Sequence, residues 1–569
     1  MFLLNRLTLA SLCVIGMSQA VMAAGTNVDA IFYGGPIITM DQRLPSPQAV
    51  AIKDGRIQAV GSLATLKKST DEHTQLINLQ GKTLLPGFIE PHAHILATAL
   101  TEHVMLNLSN FTLPYDSLDT IVAKLKKQKD DLPTDSWIVA FGVDPARTTP
   151  FMSELNADIL DRVSTSNPIF VMNQSGHLAY ANHKAMEIAG ITDATPNPPG
   201  GGVYVKDADG HLTGVLDDSS TFFPFFKKIP LASQEVIMQA LKETGQQVVS
   251  VGVTTSTDMS TGVFMGVEKE SQLFKELTHN GVLPFRMRSY LWAPVFPQST
   301  TGFTPNMGDD VYKIIGVKII SDGSNQGLTG SMMAPYLFPE HTTNEGNLNY
   351  TNAEFLSLAK PRFEEGWQIS THANGDRAIA QTLDVYSQLV KTPADKKTRL
   401  RIEHFTVATP EEIDQAKKVG ASASFTIGHT DYWGKAFIEL LGPERGNDTD
   451  PSASLLKKGV LFSYHSDSPV SPIGPLVYVS EGSSRLYQAE PQKVLNPEEK
   501  ISVYEALKAV TINPAYQLKM EKDAGSISKG KFADLVVVDK NPLTTEPYEV
   551  RNIKVKETWV GGKRVYLAN

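Results

Sequence analysis

The segment LLPGFIEPHAHIL, residues 84–96, joins an apolar run to two histidines that stand two positions apart. Residues i and i+2 of a strand point to the same face, so His92 and His94 direct two ring nitrogens toward one side. Pro91 cannot donate a backbone hydrogen bond to a neighbouring strand, which places the pair at the end of a strand rather than in its middle. By itself such a pair is more often structural than metal-binding, so its meaning depends on the rest of the chain.

Seven further segments of the chain have the character of strands. They cover residues 252–259, 284–291, 312–323, 367–376, 399–407, 421–429 and 460–468. Segments with apolar residues three and four apart, which is typical of helices, separate most of them; the clearest are residues 231–250 and 268–281. Eight strands that alternate with helices predict the α/β class and a (β/α)8 TIM barrel.

Both ends of the chain are rich in strand-like sequence, while the middle is not. Residues 49–61, AVAIKDGRIQAVG, alternate around an Asp-Gly turn, and residues 553–566 do so around a Gly-Gly turn. We therefore predict one small β-sandwich made from both chain ends, with the barrel domain between them. The predicted parts are residues 25–85 and 516–569 for the sandwich and residues 86–515 for the barrel.

One connection within the predicted barrel is unusually long. About 150 residues separate the first strand from the second, which is far more than a barrel loop needs. This insertion, about residues 105–245, contains both helix-like and strand-like segments. We predict that it forms a subdomain over the mouth of the barrel.

The first 24 residues have the layout of a secretory signal peptide. Arg6 precedes a short apolar core, and small residues lead to Ala23 and Ala24. The apolar run is too short to cross a membrane comfortably, which disfavours the alternative of a membrane anchor. We therefore expect a signal peptide over residues 1–24 and a secreted protein, with the periplasm as its compartment.

Composition limits both the partners and the metal ligands. The chain has 569 residues, 41% hydrophobic and 20% charged, which is globular composition. The net charge is −9, and no basic stripe suggests nucleic acid. Cys13, in the leader, is the only cysteine, so the mature chain would hold a metal through nitrogen and oxygen atoms. We expect a small-molecule substrate, no nucleic acid and no membrane attachment after cleavage; a homodimer is left open.

Ionisable residues stand at the carboxyl ends of the predicted strands, where barrel enzymes place their active sites. Beyond the opening pair, these are Lys318, Asp322, His372, His404, His429 and Asp467. Imidazole and carboxylate together suit zinc and similar divalent ions. The alternative is a set of buried, hydrogen-bonded histidines, but so many histidines at strand ends favour one shared role as metal ligands.

Two of these positions carry specific chemical expectations. Asp467, in HSDSPV, could take the proton of a metal-activated water and pass it to the leaving group; the alternative is a capping role in a turn. Lys318 lies on an inner strand, where an ammonium group is costly unless it is paired or modified. It is either paired with an acid such as Asp322 or carboxylated, in which case it would bridge two ions, and the sequence leaves both open.

Motifs along nearly the whole mature chain together resemble the amidohydrolase superfamily, and more closely its amidohydrolase-3 branch, which includes N-substituted formamide deformylases. They are LLPGFIEPHAH, VKIISDGS, HANGD, RIEHF, SDSPV, GSISKGKFADLVVVD and TWVGGKRVY. The resemblance implies a (β/α)8 barrel with a β-sandwich from both chain ends. It also implies metal-dependent hydrolysis, usually of C–N bonds in amides, ureas or cyclic amides.

The resemblance further implies roles for single residues. The metal ligands would be His92, His94, His372, His404 and Asp467, with Asp467 also the proton shuttle and Lys318 a carboxylated bridge. His177, in NQSGHLAYAN, would polarise the substrate carbonyl, or else cap the helix that follows. The substrate-binding residues would be Asp322, His177, His429, Asp431 and Trp433. His465 stands where relatives often carry a smaller or apolar residue, and its role is left open.

The sequence therefore predicts a secreted hydrolase that depends on one or two divalent ions, with zinc as the expected metal. It would hydrolyse a non-peptide C–N bond of a small amide, formamide or cyclic amide. Two alternatives stay open: an esterase or lactonase with the same metal site, and a non-catalytic binding or regulatory protein on the same fold. The identity of the substrate is not predicted.

Overall fold

The computed structural model describes residues 27–293, 302–391 and 395–569. The predicted signal peptide lies outside these residues. Within the described ranges, the helices are all too short or too polar to cross a membrane. The described part of the chain opens with a four-stranded sheet in the order β3-β2-β1-β4. Its elements are β1 (Ala30–Tyr33), β2 (Ala49–Lys53), β3 (Arg56–Gly61), α1 (Leu63–Leu66) and β4 (Gln75–Asn78).

The opening segment of the sequence forms two strands that belong to two different sheets. β5 (Thr83–Pro86) pairs with a strand from the carboxyl end of the chain, whereas β6 (Phe88–Glu90) pairs with the second barrel strand. Only Gly87 separates them, and a Cβ at this position would lie 2.2 Å from Thr254 Oγ1. Glycine is therefore needed where the chain passes from one domain into the other. The helix α2 (Ile95–His103) follows the two histidines.

The insertion after the first barrel strand folds around a six-stranded sheet in the order β11-β12-β10-β9-β8-β7. Its strands are β7 (Leu106–Asn107), β8 (Ile138–Val143), β9 (Ile169–Asn173), β10 (Leu178–Ala181), β11 (Val203–Lys206) and β12 (Leu212–Asp217). Its helices are α3 (Leu118–Asp130), α4 (Ala157–Asp161), α5 (His183–Ala189) and α6 (Phe223–Phe226). The next helix, α7 (Gln234–Ser250), already packs against α2 and the barrel, so the predicted limit near residue 245 falls within a barrel helix.

Eight parallel strands form the barrel, which confirms the predicted (β/α)8 fold. They are β6, β13 (Val253–Thr261), β14 (Arg286–Trp292), β16 (Tyr312–Ile320), β17 (Gln368–Ala373), β18 (Arg401–His404), β19 (Ser422–Phe425) and β20 (Phe462–Tyr464), with the short β15 (Met307–Gly308) antiparallel to β16. The later helices are α8 (Val267–His279), α9 (Asn352–Glu364), α10 (Asp376–Leu389), α11 (Pro410–Val419), α12 (Gly428–Tyr432), α13 (Gly434–Asn447, kinked at Gly442), α14 (Ser452–Lys458), α15 (Pro475–Ser484), α16 (Val503–Ala509) and α17 (Ile512–Gln517). Capping boxes at Thr351 and Thr409 begin α9 and α11.

The barrel closes between its first and last strands through the residues that follow them. The backbone N–H of Asp467 donates to the carbonyl of His92 at 3.1 Å, and the N–H of His94 donates to the carbonyl of Ser468 at 2.8 Å. The carboxylate of Glu90 accepts the N–H of Ser466 at 3.2 Å. The two histidines and Asp467 therefore lie side by side although most of the chain separates them.

The second domain is a β-sandwich made from both ends of the chain. β21 (Leu535–Val538), β22 (Val555–Val560) and β23 (Lys563–Leu567) form a sheet with β5, in the order β23-β22-β21-β5. This sheet packs against the β1–β4 sheet through a shared apolar core, in which the rings of Phe32 and Trp559 lie 5.2 Å apart. The predicted sandwich of both chain ends is thus present beside the barrel.

Candidate metal centre and active site

A cavity of about 150 Å³ opens at the carboxyl end of the barrel, beneath the insertion. Its floor carries ionisable side chains from the strand ends and one from the insertion. These are His92, His94, Lys318, His372, Asp467 and, from the insertion, His177. The barrel therefore brings most of the predicted catalytic and metal-binding residues to one place, as expected for the carboxyl ends of parallel strands.

Three imidazoles converge on the carboxylate of Asp467. Its Oδ1 lies 3.1 Å from His92 Nε2 and 3.1 Å from His94 Nε2, and its Oδ2 lies 3.8 Å from His404 Nε2. Asp467 and His404 both have positive φ, 58° and 71°, which is uncommon for residues other than glycine. Strained backbone of this kind is typical of functional sites, and here it turns both side chains inward.

The opposite nitrogen of each of these three rings is held by the protein. His92 Nδ1 lies 2.8 Å from Glu403 Oε2, His94 Nδ1 lies 2.8 Å from Ser260 Oγ, and His404 Nδ1 lies 2.7 Å from Thr426 Oγ1. Outer partners such as these fix the ring orientation and, where the ring donates through Nδ1, leave the Nε2 lone pair free for an ion. Ser260 and Thr426 lack a sequence signal, because their roles depend on ring positions.

His372 is oriented differently from the other three histidines. Its Nε2 lies 3.0 Å from the carbonyl oxygen of Gly323 and 3.1 Å from Asn374 Nδ2. This leaves Nδ1 as the ring nitrogen that is available to an ion. The His372 ring packs 4.3 Å from that of His404, so it still lies at the centre of the histidine group.

The donor set fits a divalent ion. The Nε2 atom of His404 is fully buried and, among the described residues, has no hydrogen-bond partner, which is costly unless something else binds it. One ligand atom each from His92, His94 and Asp467 lies within 4.8 Å of the others. Two ligands bound tetrahedrally at about 2.1 Å would stand about 3.4 Å apart, close to the observed 3.1 Å separations.

Electrostatics at the floor favour neutral imidazoles around an anionic carboxylate. Burial lowers the pKa of His94, and lowers those of His372 and His404 still further. Burial alone would raise the pKa of Asp467, but the surrounding imidazoles outweigh it and hold that pKa well below its usual value. Neutral imidazole and carboxylate are the protonation states in which these groups bind metals.

Lys318 is buried at the same floor. Its Nζ lies 3.0 Å from His92 Nε2, and burial lowers its pKa to about 8. Asp322, which the sequence offers as a partner for this lysine, instead accepts backbone N–H groups from Ser331, Asn374 and Gly375. The geometry therefore places Lys318 toward the histidines rather than toward that acid.

Glu403 is a residue of this site that sequence reasoning missed. It accepts from Ser370 Oγ at 2.5 Å and pairs with Arg401 at 2.9 Å, and all three side chains are fully buried. Arg401 in turn donates to Tyr290 Oη at 2.9 Å. The sequence signal was available: two charged residues alternate in RIEHF, residues 401–405, within a predicted buried strand, where an unpaired charge is costly. Strand alternation set Glu403 on the face opposite His404, but the positive φ of His404 brings both to the centre.

Two further histidines frame the site. His465 stacks on His92, with ring centroids 4.4 Å apart, and its Nε2 lies 3.0 Å from the carbonyl oxygen of Ser424. It therefore packs behind a predicted ligand. His177 comes from the loop between β9 and β10 of the insertion and lies over His372, with ring centroids 4.5 Å apart. Its Nδ1 lies 3.8 Å from the carboxylate of Asp218, a residue with φ 63° that the sequence analysis did not single out.

Asp322, His429, Asp431 and Trp433 are not among the described residues that line the cavity, and their role in substrate binding stays a prediction. Each is buried and bound elsewhere. Asp322 is occupied by the backbone N–H groups given above. His429 faces Asp450 at 3.4 Å, Asp431 pairs with Arg551 at 2.9 Å, and Trp433 Nε1 donates to Asp144 at 2.5 Å. The helix that follows β19 turns these three side chains away from the cavity.

A sequence profile of the amidohydrolase family matches residues 75–566, which include all of the floor residues. The chain belongs to the amidohydrolase family. The resemblance to the amidohydrolase-3 branch is thereby confirmed, and with it the character of a hydrolase.

Relatives match over nearly the whole chain. The putative amidohydrolase YtcJ of Bacillus subtilis is 27% identical over 543 residues, which cover 94% of this chain and 99% of that protein. The N-substituted formamide deformylase of Arthrobacter pascens is 25% identical over 545 residues, 94% of this chain and 97% of that enzyme. An uncharacterized metal-dependent hydrolase from Pyrococcus horikoshii OT3 has the same fold, with a TM-score of 0.70 and 21% identity, covering 91% of this chain and 99% of that one.

Proposed function

We propose that this amidohydrolase depends on a divalent metal and hydrolyses a non-peptide C–N bond of a small molecule, an amide, formamide or cyclic amide. One observation carries the proposal: the Nε2 atoms of the buried His92 and His404 and of the partly buried His94 face the carboxylate of Asp467, with separations of 3.1 to 3.8 Å. Such an arrangement leaves several lone pairs directed at one point. It is costly in a folded protein unless a cation occupies that point.

The residues that would hold the ion are His92, His94, His372, His404 and Asp467. Lys318, with its Nζ 3.0 Å from His92, is the candidate for a carboxylated bridge to a second ion. Its lowered pKa makes the free amine available to combine with carbon dioxide, and the proton released leaves through solvent. Zinc is the metal that a nitrogen and oxygen donor set of this kind suits.

The ion would lower the pKa of a water molecule and polarise the scissile carbonyl. Asp467 is the group placed to accept the proton from that water, because its carboxylate is anionic and lies within the ring of histidines. The same carboxyl group then protonates the departing nitrogen. His177 lies on the opposite side of the floor, over His372, where it would donate a hydrogen bond to the carbonyl oxygen.

A C–N bond is the preferred target because an amine is a poor leaving group unless it is protonated. Asp467 is buried beside the reacting groups and is therefore able to deliver that proton. The similarity to an N-substituted formamide deformylase over 94% of the chain supports the same class of bond. We also propose that the protein is secreted to the periplasm after cleavage near residue 24, which amino-terminal sequencing of the exported protein would test.

The first experiment is to measure the metal content of the purified protein and of three variants. We expect one or two equivalents of zinc in the wild type, a loss in His92→Ala, and no change in His279→Ala, a matched histidine that is half-exposed and lies on α8. Asp467→Asn should fold normally but lose turnover of a panel of amides. Full activity after complete chelation, or full activity of Asp467→Asn, would refute the proposal.

A further inference from the structure

A second cavity lies at the amino end of the barrel, opposite to the active site. It has a volume of about 290 Å³ and is bounded on one side by the segment that follows α17. Lys313 stands near the start of β16 and Lys318, at the active-site floor, near its end, so roughly 16 Å of strand separates the two cavities. We call it the basal cavity and define it by its polar lining residues, Arg288, Asn306, Asp310, Lys313, Lys519 and Asp523.

Two of the cations in the basal cavity are neighbours on adjacent strands. Arg288 and Lys313 are paired in the register of β14 and β16, and both side chains line the cavity. Two residues further along the same strands, Tyr290 and Ile315 belong to the apolar core inside the barrel. The two cations therefore lie side by side on the inner face of the barrel. Neighbouring cations repel each other, so this arrangement is unfavourable unless an anion lies close to both.

The guanidinium group of Arg288 is buried without a counter-charge. The residue is 3% exposed, and the guanidinium donates to the carbonyl oxygens of Met287 at 2.8 Å and Asp310 at 3.3 Å. Within the described residues it has no carboxylate partner, whereas Arg286 on the same strand pairs with Asp534 at 2.7 Å. Burial lowers the pKa of Arg288 to about 10. A buried cation without a partner is costly, which favours a site that takes up an anion.

A third cation comes from the segment after α17. Lys519 has a φ of 58° and stands between Leu518 and Met520, which both pack into the core inside the barrel. Burial lowers the pKa of its ammonium group to about 8, and no residue in the described ranges forms a hydrogen bond or ion pair with it. Asn306 adds an amide group to the same lining. Three separate segments of the chain therefore supply the three cations of the cavity.

The two carboxylates that line the basal cavity are both paired already. Asp310 lies 3.4 Å and Asp523 lies 3.1 Å from the guanidinium of Arg56. When Arg56 is included, four cations stand against two carboxylates at this place. The cavity thus carries an excess of positive charge that the lining itself does not balance.

We propose that the basal cavity binds one compact tetrahedral oxyanion, of which inorganic phosphate is the type, between Arg288, Lys313 and Lys519. Cations that come from three segments suit an anion whose oxygens point in different directions better than a planar carboxylate with two oxygens. The volume lies at the lower limit of pockets that hold drug-sized ligands, which fits a small ion. The bound anion would tie β14 and β16 to the segment that leads into the sandwich. The inference does not depend on the proposed hydrolysis.

The test is calorimetric titration of the metal-loaded protein with inorganic phosphate at constant ionic strength. Because phosphate is also able to bind a metal ion, the same titration is made on His92→Ala, and we expect a site of one equivalent that is present in both proteins. Lys519→Gln should weaken this site by at least about tenfold, since a hydrogen bond between charged groups contributes at least that factor. Lys529→Gln, at an exposed lysine of the same segment, should leave it unchanged.

Two outcomes of the titration would overturn the inference: loss of all phosphate binding in His92→Ala, or wild-type affinity in Lys519→Gln. Circular dichroism and metal content show whether Lys519→Gln is folded, and Lys313→Gln takes its place if it is not. Succinate is the comparison ligand. Tighter binding of succinate than of phosphate would contradict the assignment of a tetrahedral anion.

Thermal unfolding gives a second readout. Phosphate stabilises proteins in general through its exclusion from their surface, so the informative quantity is the difference between variants. Phosphate should raise the Tm of the wild type and of Lys529→Gln by more than that of Lys519→Gln, because a ligand that binds the folded state stabilises it. Equal increases in all three proteins would count against a site in the basal cavity.

Discussion

Replacement of Glu403 by glutamine is the perturbation whose consequences the structure defines best. Glu403 holds His92 Nδ1 at 2.8 Å and is the ionic partner of Arg401, and neither of these two charged side chains is exposed. Burial alone would raise the pKa of Glu403, but the interactions with Arg401 and His92 outweigh this effect and keep the carboxylate ionised. In the variant, the guanidinium of Arg401 stays buried without its counter-charge.

Two magnitudes follow from this geometry. Loss of one partner from a buried ion pair costs about 3–5 kcal/mol in the free energy of unfolding. Loss of the outer partner of a metal-binding histidine weakens metal affinity by about 10- to 100-fold. Urea unfolding of the metal-free protein measures the first quantity, and competition with a chromophoric chelator measures the second.

A matched control separates these effects from loss of charge alone. Glu557 pairs with Arg564 at 3.6 Å in the sandwich, where the arginine side chain is 45% exposed, so Glu557→Gln should change stability by less than about 1 kcal/mol. It should also leave metal affinity unchanged. If Glu403→Gln has the stability and the metal affinity of the wild type, the assignment of Glu403 as the group that positions His92 is refuted.

Three further outcomes are expected. Trp433→Phe should keep kcat/KM but lose about 1–3 kcal/mol of stability, because Oδ2 of the buried Asp144 loses the indole donor, while Oδ1 keeps the backbone N–H of Ala146; a changed substrate preference would instead support the predicted role of Trp433 in substrate binding. Gly87→Ala should lower the free energy of unfolding by about 1–3 kcal/mol through its approach to Thr254, whereas Gly61→Ala, with open space around it, should cost less. Arg399 lowers the pKa of Glu521 against the opposing effect of burial. The pair therefore stabilises the protein above the unfolded pKa of the glutamate, and this stabilisation is lost as pH falls through the folded pKa. The difference in unfolding free energy between wild type and Glu521→Gln should shrink on acidification, and a constant difference from neutral to acidic pH would count against the pair.

The barrel follows from the sequence, and so does the gathering of the strand-end residues at one floor, because both depend on local patterns. Each strand is a short apolar segment, and each predicted ligand stands at or just beyond the end of one. Parallel strands then bring those ends together without further information. The position of His92, His94 and Asp467 at one corner follows from their places in the first and last strands.

The sequence says least about residues whose side-chain direction depends on the path of a loop. Asp431 and Trp433 follow β19 as the floor residues follow their strands, but the helix α12 starts within a few residues and turns them toward Arg551 and Asp144. Glu403 was missed because strand alternation predicts that it faces away from His404. The positive φ of His404 instead brings both side chains toward the site. Residue spacing alone reveals neither the start of α12 nor the positive φ of His404.

The closure of the barrel also fixes when the active site is completed during synthesis. His94 and Asp467 are separated by 373 residues, and their segments must meet before either the barrel or the histidine group is complete. At typical translation rates of about 5–20 residues per second, Asp467 is synthesised roughly 20 to 75 s after His92 and His94. Throughout that interval the first strand lacks its neighbour from the end of the chain, and β5 lacks its partner β21 in the sandwich. The proposed metal site is therefore incomplete on a nascent chain, and an ion that needs all of its ligands would bind only after synthesis is essentially finished.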